Sequence, residues 1–207
     1  METKIERRFL SAKLECREAK DGKPAQLAGL AVPFESPSLL LDEDDAQFVE
    51  LIAADAFDGT LDSGAEVMML FSHEWDKPLA RRSSGRLELT RGADGIHFAA
   101  TPPDTTLAQD LIKNVAAGNI QGMSFGFSAA EDEWFERDGK LTRRVLKGIL
   151  YEISPVVNPA YPDTAIASRS LKDFRKRERA ENGRENFMRL ARLRLLKRKY
   201  NINKGII

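Results

Sequence analysis

The stretch Gly122–Phe127, which reads GMSFGF, limits the possible folds of this chain more than any other. In a β-strand, alternate side chains point to opposite faces. One face would carry three large apolar residues and the other three small ones: Met123, Phe125 and Phe127 against Gly122, Ser124 and Gly126. A strand with one bare face usually has a backbone or a ligand lying against it. Ser124 is therefore either a small filler in a tight contact or an accessible hydroxyl.

Other apolar or alternating runs predict a protein rich in strands. The predicted strands cover 5–16, 27–32, 48–52, 67–71, 87–90, 96–100, 141–145 and 149–157. Helices are predicted over 53–61 and 106–117. In the last strand one face would carry Leu150, Glu152, Ser154 and Val156. A carboxylate is unexpected there. Many strands and few helices indicate a mainly β fold, a barrel or a sandwich.

The charges divide the chain into an acidic body and a basic tail. Residues 168–207 contain 14 Lys and Arg against 4 Asp and Glu, a net charge of +10. The whole chain is neutral, so the rest carries −10. We therefore predict a domain over 1–167 and a basic, partly helical or disordered arm over 168–207. Such an arm either binds an acidic partner or folds back on its own body.

The composition also excludes several classes of protein. No apolar run follows the charged N-terminus, and no stretch approaches the roughly 20 apolar residues that span a bilayer. We therefore expect neither a signal peptide nor a membrane span, and a cytosolic location. Cys16 is the only cysteine, which excludes an intramolecular disulfide and a cysteine metal cluster. No metal or other cofactor is predicted.

Three polar residues stand out at strand ends or on strand faces: His73, Ser124 and Glu152. A serine nucleophile needs a base, usually a neutral imidazole, and a third group that orients the imidazole. The only other histidine, His97, lies inside a predicted hairpin strand. We interpret it as a structural or a surface histidine. His73 could equally be a histidine at a sheet rim without function. Spacing alone does not settle this choice.

Four segments resemble those of the phage prohead (capsid maturation) proteases. Residues 71–80 (FSHEWDKPLA) are similar to their Asn/Ser-His-Asp/Glu…Pro-Leu-Gly/Ala segment, and 119–127 (NIQGMSFGF) to their serine segment. Residues 150–161 (LYEISPVVNPAY) resemble the closing Leu-x-Glu-Val-Ser strand. Residues 51–57 (LIAADAF) resemble an Ile-x-x-Gly-Ala-Phe segment, with Asp55 in place of glycine. The resemblance runs from about residue 5 to 167.

The resemblance implies a serine endopeptidase with a β-barrel core ringed by helices, as in the related herpesvirus assembly proteases. Ser124 would be the nucleophile and His73 the general base. Those relatives use a Ser–His–His set, so the third member varies. Glu152 is the candidate here, with Glu74 and Asp76 as alternatives.

The same resemblance implies an oxyanion hole and room for a substrate. In the herpesvirus relatives the oxyanion hole follows the third catalytic member. Its backbone donors here would come from Val157, Asn158 or Ala160, while Gly122 and Gly126 would leave space for a peptide.

The implied substrates are the major capsid protein and the scaffolding protein of an assembling phage prohead in the host cytoplasm. The arm would tether the enzyme to an acidic partner or be removed by self-cleavage. Relatives of this fold are often activated by assembly or dimerisation, so a homodimer is one expected active form. The alternative is a non-enzymatic scaffold or packaging factor that docks through the barrel and binds nucleic acid through the arm.

Overall fold

A computed structural model describes residues 5–11, 14–17, 24–38, 41–43 and 46–157. Its strands are β1 (Glu6–Ser11), β2 (Glu15–Arg17), β3 (Gln26–Pro33), β4 (Leu41–Glu43), β5 (Ala46–Ile52), β6 (Met68–Phe71), β7 (Glu74–Arg81), β8 (Leu87–Arg91), β9 (Gly95–Ala100), β10 (Gly122–Arg137) and β11 (Lys140–Val156). The α-helices are α1 (Asp58–Asp62) and α2 (Thr106–Ala116), and a short 3-10 helix covers Arg82–Ser84. No helix in these ranges is long and apolar enough to cross a membrane.

The described strands form two sheets. The larger has seven strands, in the order β1-β10-β11-β5-β4, with β6 joining β11 to β7. The smaller has four, in the order β2-β3-β9-β8. The prediction of a mainly β fold is confirmed. The predicted closed barrel is wrong for the described strands, which form two separate sheets. Side chains of both sheets meet in one core, so the apolar faces are buried without a closed, hydrogen-bonded ring of strands.

Several element boundaries differ from the prediction. The strand predicted over 5–16 is two strands, β1 in the larger sheet and β2 in the smaller. Strand β7, which the polar segment after residue 73 forms, is absent from the predicted strands. The first helix begins only at Asp58. The residues just before it form turns, and Ala53 and Phe57 are buried there. The basic arm and the domain boundary near residue 167 lie outside the described residues.

Helix α2 confirms the prediction made from its apolar spacing. Leu111, Ile112 and Val115 are buried on one face. The Oγ1 of Thr105 accepts a hydrogen bond from the Ala108 N–H at 3.3 Å and caps the first turn.

Strand β10 has the two-faced structure that its alternation predicts. Met123, Phe125 and Phe127 are buried in the core that both sheets share. The ring of Phe57 meets Phe125 and Phe127 edge-on, with centroids 6.4 Å and 5.7 Å apart. These contacts hold one face of β10 in the core, so Ser124 must lie on the other.

Candidate active site

The pairing of β10 with β11 places the predicted serine and carboxylate on one face of the larger sheet. Ser124 lies opposite Ser154, and Gly126 lies opposite Glu152. Directly opposed residues of an antiparallel pair point to the same side. The small residues of β10 therefore leave room for the polar side chains of β11.

An irregularity at Tyr151 gives Glu152 this direction. Phe127 pairs with Leu150 while its neighbour Gly126 pairs with Glu152, so β11 holds one extra residue at this point. Leu150 consequently joins the core with Phe127, and Glu152 faces the opposite side. The prediction that Leu150 and Glu152 share a face is wrong for this reason.

His73 and Glu152 are in direct contact. Nδ1 of His73 lies 2.6 Å from Oε1 of Glu152. The carboxylate side chain is 2% exposed and the imidazole 17%. The second carboxylate oxygen, Oε2, accepts a hydrogen bond from the Ser154 hydroxyl at 2.6 Å. An N–H on Nδ1 would donate to Oε1 of Glu152, and Nε2 would then be the basic nitrogen.

The tight turn between β6 and β7 presents His73 to this carboxylate. Phe71 pairs with Glu74, which leaves only Ser72 and His73 as the loop. Both have left-handed backbones, with φ of 51° and 65°. Two hydrogen bonds attach the turn to β11: the Ser72 N–H donates to the Pro155 carbonyl at 3.2 Å, and the His73 N–H to the Ser154 hydroxyl at 3.1 Å. Left-handed non-glycine residues concentrate at functional sites.

Ser124 is turned away from the imidazole. Its hydroxyl donates to the main-chain carbonyl of Arg8 at 3.0 Å, and the residue is 3% exposed. Within the ranges described, Ser124 and His73 share no hydrogen bond. A nucleophilic role therefore requires the hydroxyl to rotate away from β1.

The alternative carboxylates near His73 do not contact its ring in the described part of the chain. Glu74 pairs with Lys77 at 2.7 Å, and Asp76 is exposed. His97 lies apart, in β9, where its Nε2 is 2.8 Å from Asp94. The structure therefore brings His73 together with Glu152 and with neither alternative.

The glycines of β10 accommodate the protein's own side chains. A Cβ on Gly122 would overlap the ring of Phe9, and a Cβ on Gly126 would overlap Oε1 of Glu152. The space predicted for a peptide backbone at these positions is thus partly filled from β1 and β11. Among the predicted oxyanion donors, Val157 is 63% exposed at the end of β11, while Asn158 and Ala160 lie outside the described residues.

Sequence reasoning missed Ser154, which contacts both members of the His73–Glu152 pair. The available signal was a second polar residue, two positions after Glu152, in an apolar strand. It also missed a buried cluster of four charged residues on strands of the larger sheet: Glu6, Arg8, Glu50 and Arg143. No local pattern joins residues so far apart in the sequence. The described residues hold no group of three or more His, Cys, Asp or Glu arranged for a metal.

The family comparison agrees with the resemblance found in the sequence. The model of the family described as caudovirus prohead serine protease matches residues 12–177. The structure of the bacteriophage T4 capsid assembly protease aligns with a TM-score of 0.48 and 11% identity, over 74% of this chain and 99% of that one. No curated protein sequence matches.

Proposed function

Because the chain belongs to the family of caudovirus prohead serine proteases, we propose that it is an endopeptidase that cleaves capsid and scaffolding proteins inside an assembling prohead. The observation that carries this proposal is the 2.6 Å contact between His73 Nδ1 and the buried carboxylate of Glu152. A buried carboxylate that holds one imidazole nitrogen leaves the other nitrogen to act as a base.

In the proposed reaction, Nε2 of His73 takes the proton of the Ser124 hydroxyl as the oxygen attacks the scissile carbonyl carbon. The imidazolium then gives that proton to the leaving amine, and the C–N bond breaks to leave an acyl-enzyme on Ser124. A water molecule, activated by the same nitrogen, hydrolyses the ester and restores the serine. Glu152 stays ionised throughout and stabilises the imidazolium.

The oxyanion that forms during the attack needs backbone N–H donors. We assign them to the segment after β11, with Val157, Asn158 and Ala160 as candidates. Gly122 and Gly126 would let a substrate strand approach Ser124 once Phe9 gives way. This assignment rests on the resemblance to relatives and on the position of Val157 at the end of β11.

Replacement of Ser124 by Ala tests the nucleophile. We expect processing of a co-expressed capsid protein to stop and labelling by a fluorophosphonate to disappear, while the thermal unfolding curve is retained. The matched control is Ser128→Ala on the same strand, whose hydroxyl bonds to Tyr151 at 3.0 Å. Undiminished processing by Ser124→Ala would contradict the proposal.

The charge asymmetry supports a further partner. We propose that the arm over 168–207, net +10, tethers the body over 1–167 to an acidic segment of the scaffold or capsid. The resemblance to relatives that are activated by assembly or dimerisation supports a second proposal, that a homodimer or the assembled shell is the active form. Binding of the full chain to assembled shells should weaken steeply with added salt. If the chain instead binds nucleic acid through the arm and cleaves nothing in assembled shells, the non-enzymatic packaging role replaces the protease.

A further inference from the structure

We propose that Ser154 is a positioning residue of this site. Its hydroxyl holds the carboxylate of Glu152 and the backbone of His73 in their positions relative to each other. The proposal rests on the proposed function, in which His73 and Glu152 act as a pair. Ser154 has no exposed surface, so its hydroxyl must find its partners inside the protein.

The two hydrogen bonds of Ser154 reach the two halves of the pair. The hydroxyl donates to Oε2 of Glu152 at 2.6 Å. The same oxygen accepts the His73 N–H at 3.1 Å. One side chain therefore links the carboxylate to the residue whose ring the carboxylate contacts.

The bond to Oε2 fixes the direction of the carboxylate. With Oε2 held by Ser154, the carboxylate plane leaves Oε1 aimed at Nδ1 of His73, 2.6 Å away. This direction of the carboxylate keeps the proton on Nδ1 and leaves Nε2 free to act as a base.

The bond from the His73 N–H fixes the turn. His73 has a φ of 65°, a backbone that a residue with a side chain adopts only when its surroundings stabilise it. The acceptor on β11 supplies one such contact. Because β6 also pairs with β11 at Glu152 and Ile153, the turn and the carboxylate are attached to the same pair of strands.

The test reads the tautomer of His73 in the full chain by ¹⁵N NMR of labelled histidine side chains. The chain has only two histidines, and His97 serves as the internal reference. Wild type should show the Nδ1–H tautomer at His73 once the ring is neutral. In Ser154→Ala this population should fall towards the Nε2–H form that free imidazole prefers, while Ser154→Thr, which keeps a hydroxyl, should retain it.

The matched control is Thr60→Val. Thr60 is also a buried hydroxyl that accepts a backbone N–H of β11, from Leu150 at 3.2 Å, but it contacts neither His73 nor Glu152. Thr60→Val should leave the tautomer unchanged. If Ser154→Ala does not fold, Ser154→Cys, a weak donor of similar shape, takes its place with the same expected shift.

The proposal is overturned if Ser154→Ala, or Ser154→Cys in its place, keeps the wild-type tautomer, or if Thr60→Val changes it equally. In parallel, the rate of fluorophosphonate labelling of Ser124 should fall about 10-fold to 100-fold in Ser154→Ala, the ratio that corresponds to one lost hydrogen bond to a charged group. Absence of labelling in the wild type would count against the protease function and not against the positioning role, which the tautomer measures without catalysis.

Discussion

Glu152 occupies its position because of the residue opposite. Gly126 has no side chain, and a Cβ there would lie 3.0 Å from both Cγ and Cδ of Glu152. The glycine thus admits a carboxylate that is 2% exposed and touches the His73 ring and the Ser154 hydroxyl. At the scale of single residues, the site therefore depends on the lack of a side chain at Gly126 as well as on the polar groups that meet there.

Glu152→Gln tests the role of this carboxylate. The amide keeps the shape of the side chain but loses the charge, and it can present an N–H to Nδ1 and so favour the wrong tautomer. We expect fluorophosphonate labelling to slow by at least about 10-fold, and by less than in a His73→Ala variant, because the carboxylate acts through the imidazole.

The control for this variant is Glu74→Gln, next to His73 in sequence but paired with Lys77 on the surface. If Glu152→Gln were labelled by the fluorophosphonate at the wild-type rate, or if Glu74→Gln slowed labelling equally, the third catalytic role would belong to another group.

The β6–β7 hairpin is the element that presents the histidine. Its two loop residues, Ser72 and His73, both have φ in the left-handed region. Two-residue hairpin loops of type I′ need this backbone at both positions and usually contain Asn and Gly. This hairpin instead uses Ser and His, so it holds the imidazole in place at some cost in backbone energy.

The identity of residue 72 should therefore control both stability and activity. Ser72→Val places a β-branched residue where L-residues are strained, and we expect it to lower the free energy of unfolding by about 1–2 kcal/mol and to slow labelling of Ser124. Ser72→Asn, which tolerates a left-handed backbone, should stay within about 0.5 kcal/mol of wild type. Urea unfolding compares the two variants, and equal stabilities would show that the turn carries no strain.

Across the whole molecule, a buried cluster of charges joins the strands around the site. Arg143 of β11 contacts Glu50 at 2.9 Å and Glu6 at 2.5 Å, and Arg8 contacts Glu50 at 2.6 Å. Burial alone would lower the pKa of Arg143, but attraction to Glu50 and Glu6 raises it above its usual value. The guanidinium therefore stays charged across the ordinary pH range, and Arg143 does not titrate there. The main-chain carbonyl of Arg8 accepts a hydrogen bond from the Ser124 hydroxyl, which connects the strand that carries part of the cluster to the candidate nucleophile.

Breaking this cluster should destabilise the fold strongly. Arg143→Met leaves buried carboxylates short of a partner, and we expect a loss of about 3–5 kcal/mol in the free energy of unfolding. The neighbouring Arg144 provides the control, since its side chain is 34% exposed and pairs with Glu35 at the surface. Arg144→Met should cost no more than about 1 kcal/mol. Urea unfolding of the two variants gives the comparison. Similar losses of unfolding free energy would mean that the buried ion pairs stabilise the fold no more than the exposed ones.

The sequence by itself determined the strand character of β10, the apolar face with Met123, Phe125 and Phe127, and the family of the chain. These properties are local, because alternation and motif order can be read along one segment. It also proposed Ser124, His73 and Glu152, but left Glu74 and Asp76 as alternatives for the third member.

Only the tertiary structure decided which carboxylate meets His73, since residues 73 and 152 approach each other through the pairing of β6 with β11. The extra residue at Tyr151 set the face of Glu152, and the left-handed turn aimed the imidazole. Both depend on strand register and on packing between segments distant in the chain, as does the contact between Glu6 and Arg143. A change of one residue in register reverses the face of every side chain, so a strand's own pattern cannot determine its partners.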